Sequence, residues 1–223
     1  MPSHFLCSFH PIFGSSAGKA AISNGNLPSF IDGSCRREPD LQATAPSISA
    51  LCRAGKFAPR LDEGDYVAYI TVQSRYGAQL GWALVALVRV IKRFESHEAA
   101  AEWYRGRGYT LPSNCIVPGN LAQPYHLTNR RFSCEVREGI DSEADPERTV
   151  EVWDAIYAGR ARDWGVFLAC HADFLELWRP PVLRRSDLER IFGRVPATQN
   201  PPKITAVQWG ELVAFIQQAP NQT

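Results

Sequence analysis

The chain carries almost no net charge: 24 lysines and arginines stand against 23 aspartates and glutamates in 223 residues. That balance excludes a generally basic nucleic-acid coat, so any anion site must be local. No apolar run reaches about 18 residues free of charge, the length a membrane helix needs, and no membrane partner is expected. The N-terminus has no charged stretch leading into an apolar one, so no signal peptide is expected and a cytoplasmic location is. The six cysteines (Cys7, Cys35, Cys52, Cys115, Cys134, Cys170) include no CxxC pair, and in a cytosolic chain they read as reduced and mostly buried. Structural zinc usually takes two close ligand pairs. Only Cys7-x-x-His10 has that spacing, with Cys35 or Cys52 left to complete a set, and no metal or cofactor is expected. The phosphate-loop pattern is missing too. Gly14 and Gly18 leave only three residues between them and Ala20 follows Lys19, so Phe13 to Ile22 reads as a flexible loop whose small residues would let a ligand approach the backbone. There is no GxSxG nucleophile elbow and no internal repeat.

What the chain does have is one dense apolar stretch, Asp62 to Phe94. Glu63-Gly64-Asp65 is a turn signal. Tyr66 to Val72 is rich in β-branched and aromatic residues, which suit a strand. Gln73 to Gln79 is polar and reads as a loop. Gly81 to Phe94, with Val85, Val88, Val90 and Ile91, reads as one long strand with a bulge or bend near Gly81-Trp82 or Arg89. Two such strands should twist strongly and curl toward a barrel.

Around this core, His4 to Phe13 reads as an opening strand that Pro11 ends or confines to an edge, and Ala45 to Arg53 as a short helix. Ser96 to Arg105 is the clearest helix, capped by Ser96 and stopped by Gly106 and Gly108, with Ala99 and Trp103 inward, Ala100 and Tyr104 as candidates for the same face, and His97 at the surface. Cys115 to Val117 and Cys134 to Val136 read as short strands. Thr149 to Ala161, Ser186 to Phe192 and Thr205 to Gln218 read as helices, the last with Val207, Leu212, Val213, Phe215 and Ile216 inward. Val166 to Cys170 favours a further strand. The expected organisation is a single domain, 1–223: a β core over 1–135, a charged linker over 136–147 and a helical C-terminal part over 148–223 packed on the core.

Three groups of residues could carry chemistry. Arg36-Arg37-Glu38-Pro39-Asp40 is either a solvated turn with internal ion pairs of little worth or a place where a guanidinium fork clamps a phosphate or a base edge. Arg53, Lys56 and Arg60 surround Phe57, as suits a phosphate backbone with a stacked base, or form an ordinary basic loop. Ser113, Asn114 and Asn120 either cap their own turns or present amide and hydroxyl groups to a base edge. An enzyme remains the alternative, with Asp32, Glu38, Asp40 and Lys56 as a carboxylate–lysine set that Asp62 to Asp65 could join, or Cys115 with His126 or His97 as a thiol–imidazole pair.

The succession GDYVAYIT, LGWALVALVRVIKRF and SHEAAAEWY resembles the PUA-like superfamily, which includes the EVE, ASCH and YTH domains. The segment before it, with a Ser-Gly-rich loop, a DG turn and REPD, is similar to the N-terminal part of nucleotide modification associated domains, which occur in phages and bacterial defence systems. The resemblance covers about Phe9 to Asn120. It implies an α+β fold, a small twisted mixed β-barrel with flanking helices, whose mouth holds a base, often modified, or a stretch of nucleic acid. On that resemblance Tyr69 or Tyr76 and Trp82 would stack on the base. Ser113, Asn114 and Asn120 would meet its edge, and Arg36, Arg37, Arg53 and Lys56 would hold phosphates. The chain departs from YTH domains in lacking three cage tryptophans. It departs from EVE domains in its insertion at Ser23 to Asp40 and its longer C-terminal part. A nucleic-acid or modified-nucleotide binding module is therefore the expected function, with an enzyme on such substrates or a protein-interaction domain as alternatives.

Overall fold

The computed structural model describes residues 2–131 and 144–218. The expected strand at Cys134-Glu135-Val136 and most of the 136–147 linker lie outside them. The fold is α+β, built on one large mixed sheet of eight strands: β1 (His4–Phe9), β2 (Ser47–Ser49), β3 (Tyr66–Thr71), β4 (Ser74–Tyr76), β5 (Gln79–Phe94), β6 (Phe167–Leu175), β7 (Val182–Leu183) and β8 (Lys203–Ile204). The order is β2-β6-β5-β3-β1-β8, with β4 and β7 both on β5, and this hydrogen-bonded path is open. Five helices among the described residues flank it: α1 (Ser16–Gly25), α2 (His97–Gly106), α3 (Pro146–Asp163), α4 (Arg185–Phe192) and α5 (Ala206–Gln218). None of them is long and apolar enough to cross a membrane.

The long strand is present. β5 pairs antiparallel with both β3 and β6, and its register slips between Leu87 and Val88 and again between Val90 and Lys92, close to the expected irregularity at Arg89. Strand alternation divides the core into two faces. Cys7, Phe9, Val67, Tyr69 and Val85 pack on one side of the sheet; Leu6, Ala68, Ile70, Trp82 and Leu84 pack on the other, against Leu188 of α4 and Leu212 of α5. The C-terminal part of the chain contributes β6, the strand expected at Val166 to Cys170, between β2 and β5, and adds β7 and β8 besides.

Several local expectations are corrected. The Gly-rich loop is α1. Ser15 caps it, its hydroxyl accepting from Gly18 N, and Gly18 lies so close to the preceding turn that a Cβ there would sit 1.7 Å from the Ile12 carbonyl oxygen. Ala45 to Arg53 holds β2, not a helix, because Ser47 to Ser49 pair with β6 and Asp40 bridges to Ser47. Cys115 to Val117 is irregular backbone between two turns rather than a strand. The inward face of α2 is His97, Ala100, Ala101 and Tyr104: Ala100 and Tyr104 are inward as expected, whereas Ala99 is exposed and His97 is buried. Val207 is 75% exposed, while Leu212 carries the inward face of α5.

β1 and β3 are parallel, so the chain leaving β1 at Phe9 must cross over before re-entering at Tyr66. The crossing segment holds α1, the Asp32–Asp40 loop, β2 and three 3₁₀ turns. It folds back over the C-terminal end of β1.

Candidate functional site

A cavity of about 210 Å³ opens there. Its floor is apolar and aromatic: Cys7 and Phe9 from β1, Tyr69 from β3, and Phe57 and Pro39 from the crossing segment. Phe9 and Tyr69 meet edge to face with ring centroids 6.2 Å apart. The polar wall is Asp32, Glu38, Ser49, Arg53 and His10. Ser49 on β2 and Cys7 on β1 line this one cavity although three strands separate them in the sheet order, so the sheet is strongly curled.

Glu38 is the centre of the wall, and it is 7% exposed. Its Oε1 accepts from Ser49 N at 2.9 Å, and its Oε2 accepts from Asn114 Nδ2 at 2.8 Å and from the Ser49 hydroxyl. Asn114 is held in turn by the Ser47 hydroxyl, which donates to its Oδ1 at 2.7 Å. Burial pushes the Glu38 carboxyl up to about 8, against the pull of these donors. The donors restrict where a proton can go. Both oxygens must accept, one from a backbone N–H and the other from an amide. An added proton therefore enters the bond to Ser49 Oγ or takes the remaining lone pair of Oε1.

Burial likewise favours the uncharged form of the neighbouring groups. Burial raises Asp32, whose Oδ1 accepts from Ser34 N at 2.9 Å and from the Ser34 hydroxyl. Burial pushes the Cys7 thiol up to about 12 and Cys52 well above its ordinary range. These thiols are protonated at neutral pH and are poor nucleophiles. His10 is lowered, first by burial and then by Arg131, and is neutral. Arg53 has left-handed backbone, with φ of 67°. From there its guanidinium donates to Ser8 O at 2.6 Å, to Thr198 O at 3.1 Å and to Gln199 O.

The residues expected to form the site separate into two sets. Tyr69 and Arg53 line the cavity, and Asn114 stands behind it holding Glu38. The others are elsewhere. Arg36, 2% exposed, is committed to a fork with both oxygens of Asp154, at 2.6 and 2.8 Å, and to the carbonyls of Ser113 and Asn120. It ties α3 to two loops and has no reach to a phosphate. Arg37 is equally buried and donates to Asp32 O and Leu127 O. Ser113 donates through its N and Oγ to Asp40 Oδ2. Asn120 donates to Pro112 O and Cys115 O and so closes its own turn. Lys56 is exposed on a 3₁₀ turn. Trp82 packs on the opposite sheet face from Tyr69, so the two rings cannot sandwich one ligand.

The catalytic alternatives are also resolved in space. Asp40 bonds Ser113, and Asp65 accepts from Ser3 N and Asp62 N at the start of β3, so the proposed acids divide: Asp32 and Glu38 share this cavity, while Asp62, Glu63 and Asp65 line a separate one. Cys115 donates to the His97 carbonyl rather than to its ring, and the ring Nδ1 accepts from Ile116 N. Among the described residues no group of three or more His, Cys, Asp or Glu is disposed to hold a metal ion.

No family model, no curated protein and no solved structure matches this chain. The site must therefore be read from its own geometry. Glu38 is the residue that sequence reasoning placed among the acids without singling it out. The signal was its position between two arginines and a proline, in a loop with no helical or strand period to say which side chain turns inward.

Proposed function

We propose that the protein is a binding module for a nucleobase, in nucleic acid or as a modified nucleotide, with the base in the inner cavity. One observation supports this most: a recessed cavity floored by Phe9, Tyr69 and Phe57 and edged by a carboxyl that three hydrogen bonds hold in place. A flat heteroaromatic ring needs these two things, apolar or aromatic faces to stack on and a fixed donor or acceptor at its edge. A carboxyl that carries its proton at neutral pH can offer both donor and acceptor. The barrel belongs to the same proposal. In it, Arg53 and the loop after β2 complete the wall that no ladder closes, and the cavity is the mouth of a PUA-like barrel.

Isothermal titration with a panel of natural and modified nucleosides and short single strands tests this. Binding by at least one member, lost in Glu38→Ala and in Tyr69→Ala with the fold retained by circular dichroism, is the expected result. The absence of binding by any member, or binding indifferent to both substitutions, refutes it.

A second reading is favoured by one feature, the pair of carboxyls with raised pKa in a single cavity. A carboxyl near 8 is suited to act as a general acid at neutral pH, so a bound nucleotide would be modified or cleaved. Mass analysis of each bound nucleotide after long incubation separates the two readings, because a binding module returns it unchanged.

A further inference from the structure

The inner cavity shares two of its walls with a second one. His10 and Asp32 also line a neighbouring cavity of about 210 Å³, bounded on its far side by Arg131, Trp153, Tyr157 and Arg160. We propose that this outer chamber is a phosphate subsite, so that the ligand is a nucleoside monophosphate unit, free or within a strand, with its base in the inner cavity. The inference rests on the reading of the inner cavity given above.

The chamber brings two guanidiniums and an imidazole together from three distant parts of the chain. Arg160, on α3, donates through Nη1 to Leu51 O at 3.0 Å and lies 5.7 Å from the centre of the Tyr157 ring. Arg131 places Nη1 3.3 Å from His10 Nδ1 and donates through Nη2 to Gly14 O at 3.3 Å. These contacts hold each fork in position and leave further N–H groups on it, which is what a phosphate requires. With a guanidinium donor at its Nδ1, neutral His10 carries its proton on Nε2 and is a donor as well. Trp153 and Tyr157 stack with centroids 6.3 Å apart, giving the chamber a rigid aromatic back.

The one acid at the shared wall is Asp32. Its carboxyl already accepts from Ser34 N and Ser34 Oγ, and its negative charge is disfavoured there. The groups that face His10 electrostatically are Arg131 and Arg53, which oppose its protonation, and Asp32, which favours it. An anion placed between these cations would reverse the balance and favour the imidazolium. Binding should then take up a proton and tighten as pH falls from 8 to 6.

The test is titration of the full chain with matched nucleosides, their 5′-monophosphates, the corresponding trinucleotides and inorganic phosphate. The monophosphate should bind at least about tenfold more tightly than its nucleoside, a difference of ~1.4 kcal/mol. In Arg131→Gln plus Arg160→Gln that ratio should fall to near one. Arg131→Gln alone, at an exposed position, should lower it about threefold if the double variant fails to fold. Histidine ring signals should report a higher His10 pKa when inorganic phosphate is added. Tighter binding of trinucleotide than of monophosphate assigns the phosphate to a strand; equal binding assigns it to a free nucleotide. A nucleoside that binds as tightly as its monophosphate, or a ratio that survives the double variant, overturns the phosphate subsite and leaves the base cavity standing. If neither nucleosides nor monophosphates bind, both fall.

Discussion

Replacing Glu38 by glutamine should remove a pH dependence of stability that the wild-type fold shows between pH 6.5 and 8. The folded carboxyl is held at about 8 against an ordinary value of 4.5. Between those values the folded chain keeps the proton and the unfolded chain does not. Stability therefore falls as pH rises, because the state that binds more protons is the native one. At ~1.4 kcal/mol per pH unit the whole interval amounts to about 5 kcal/mol. Part of it is masked. His97 is buried, and its pKa is pushed down to about 4 from 6.5, so its contribution has the opposite sign and rises with pH until about 6.5. His4 and His10 are also lowered and act in the same sense. Below about pH 6.5 these opposing groups largely offset Glu38. Above it Glu38 acts with little opposition, and the expected fall from pH 6.5 to 8 is about 2 kcal/mol.

Urea unfolding at 25 °C, at fixed ionic strength and half-unit pH steps, measures this directly. The slope carries the information, not the level. A glutamine amide cannot accept from both Asn114 Nδ2 and Ser49 N, so the variant loses about 1–3 kcal/mol at every pH. That loss displaces the curve without tilting it. Asp32 is raised as well and keeps the same sign of slope, so Asp32→Asn serves as the control that isolates its share. A wild-type curve that is level or rising between pH 6.5 and 8, or a glutamine variant that keeps the full fall, would refute the buried-proton reasoning.

Four further outcomes follow from the same contacts. Asn114→Ala removes a donor to Glu38 and the acceptor of the Ser47 hydroxyl; it should cost about 2–4 kcal/mol and extend the pH-dependent fall beyond 8, read by the same urea series. Cys7, Cys35 and Cys115 are each pushed up to about 12 by burial, so above pH 9 stability should drop by up to ~4 kcal/mol per pH unit, and a thiol reagent at pH 8 should label these three only as fast as the chain unfolds. Arg36→Ala leaves Asp154 and two carbonyls without their partner; it should cost about 3–5 kcal/mol in thermal or urea unfolding, and any loss of ligand should track the loss of fold. Gly18→Ala forces a Cβ against the Ile12 carbonyl and should destabilise by about 3 kcal/mol, whereas Gly210→Ala, on an open face of α5, should stabilise by about 0.5–1 kcal/mol.

The sheet was legible where side-chain chemistry and period agreed. Tyr66 to Thr71 and the long β5 announce themselves through β-branched and aromatic residues, and the stop residues around α2 and α4 act as expected. The short elements failed for the opposite reason. Ser47-Ile48-Ser49 is too brief for a period, and what makes it a strand is β6, about 120 residues later in the chain. The Ala-rich segment after Ser15 reads as a loop because its glycine suggests freedom, whereas Gly18 permits a close approach to Ile12. Both errors come from contacts that a local reading does not contain.

The site shows a sharper limit. Arginine in a sequence suggests an anion, but a guanidinium fork fits backbone carbonyls and a carboxylate as well as it fits a phosphate. Arg36 and Arg37 spend their donors in that way. Trp82 was open to correction from the sequence: strand alternation along β5 puts it with Leu84, on the face away from Val85 and Tyr69. Glu38 was not. Its inward turn depends on Asn114 and Ser49 arriving from two other parts of the chain. A carboxyl at 7% exposure survives only because those donors wait for it. The residue with most influence on the cavity is thus the one whose role is written in three separate segments. The arginines beside it fix its own loop instead, Arg36 to α3 and the Ser113–Asn120 turns and Arg37 to Asp32 and Leu127.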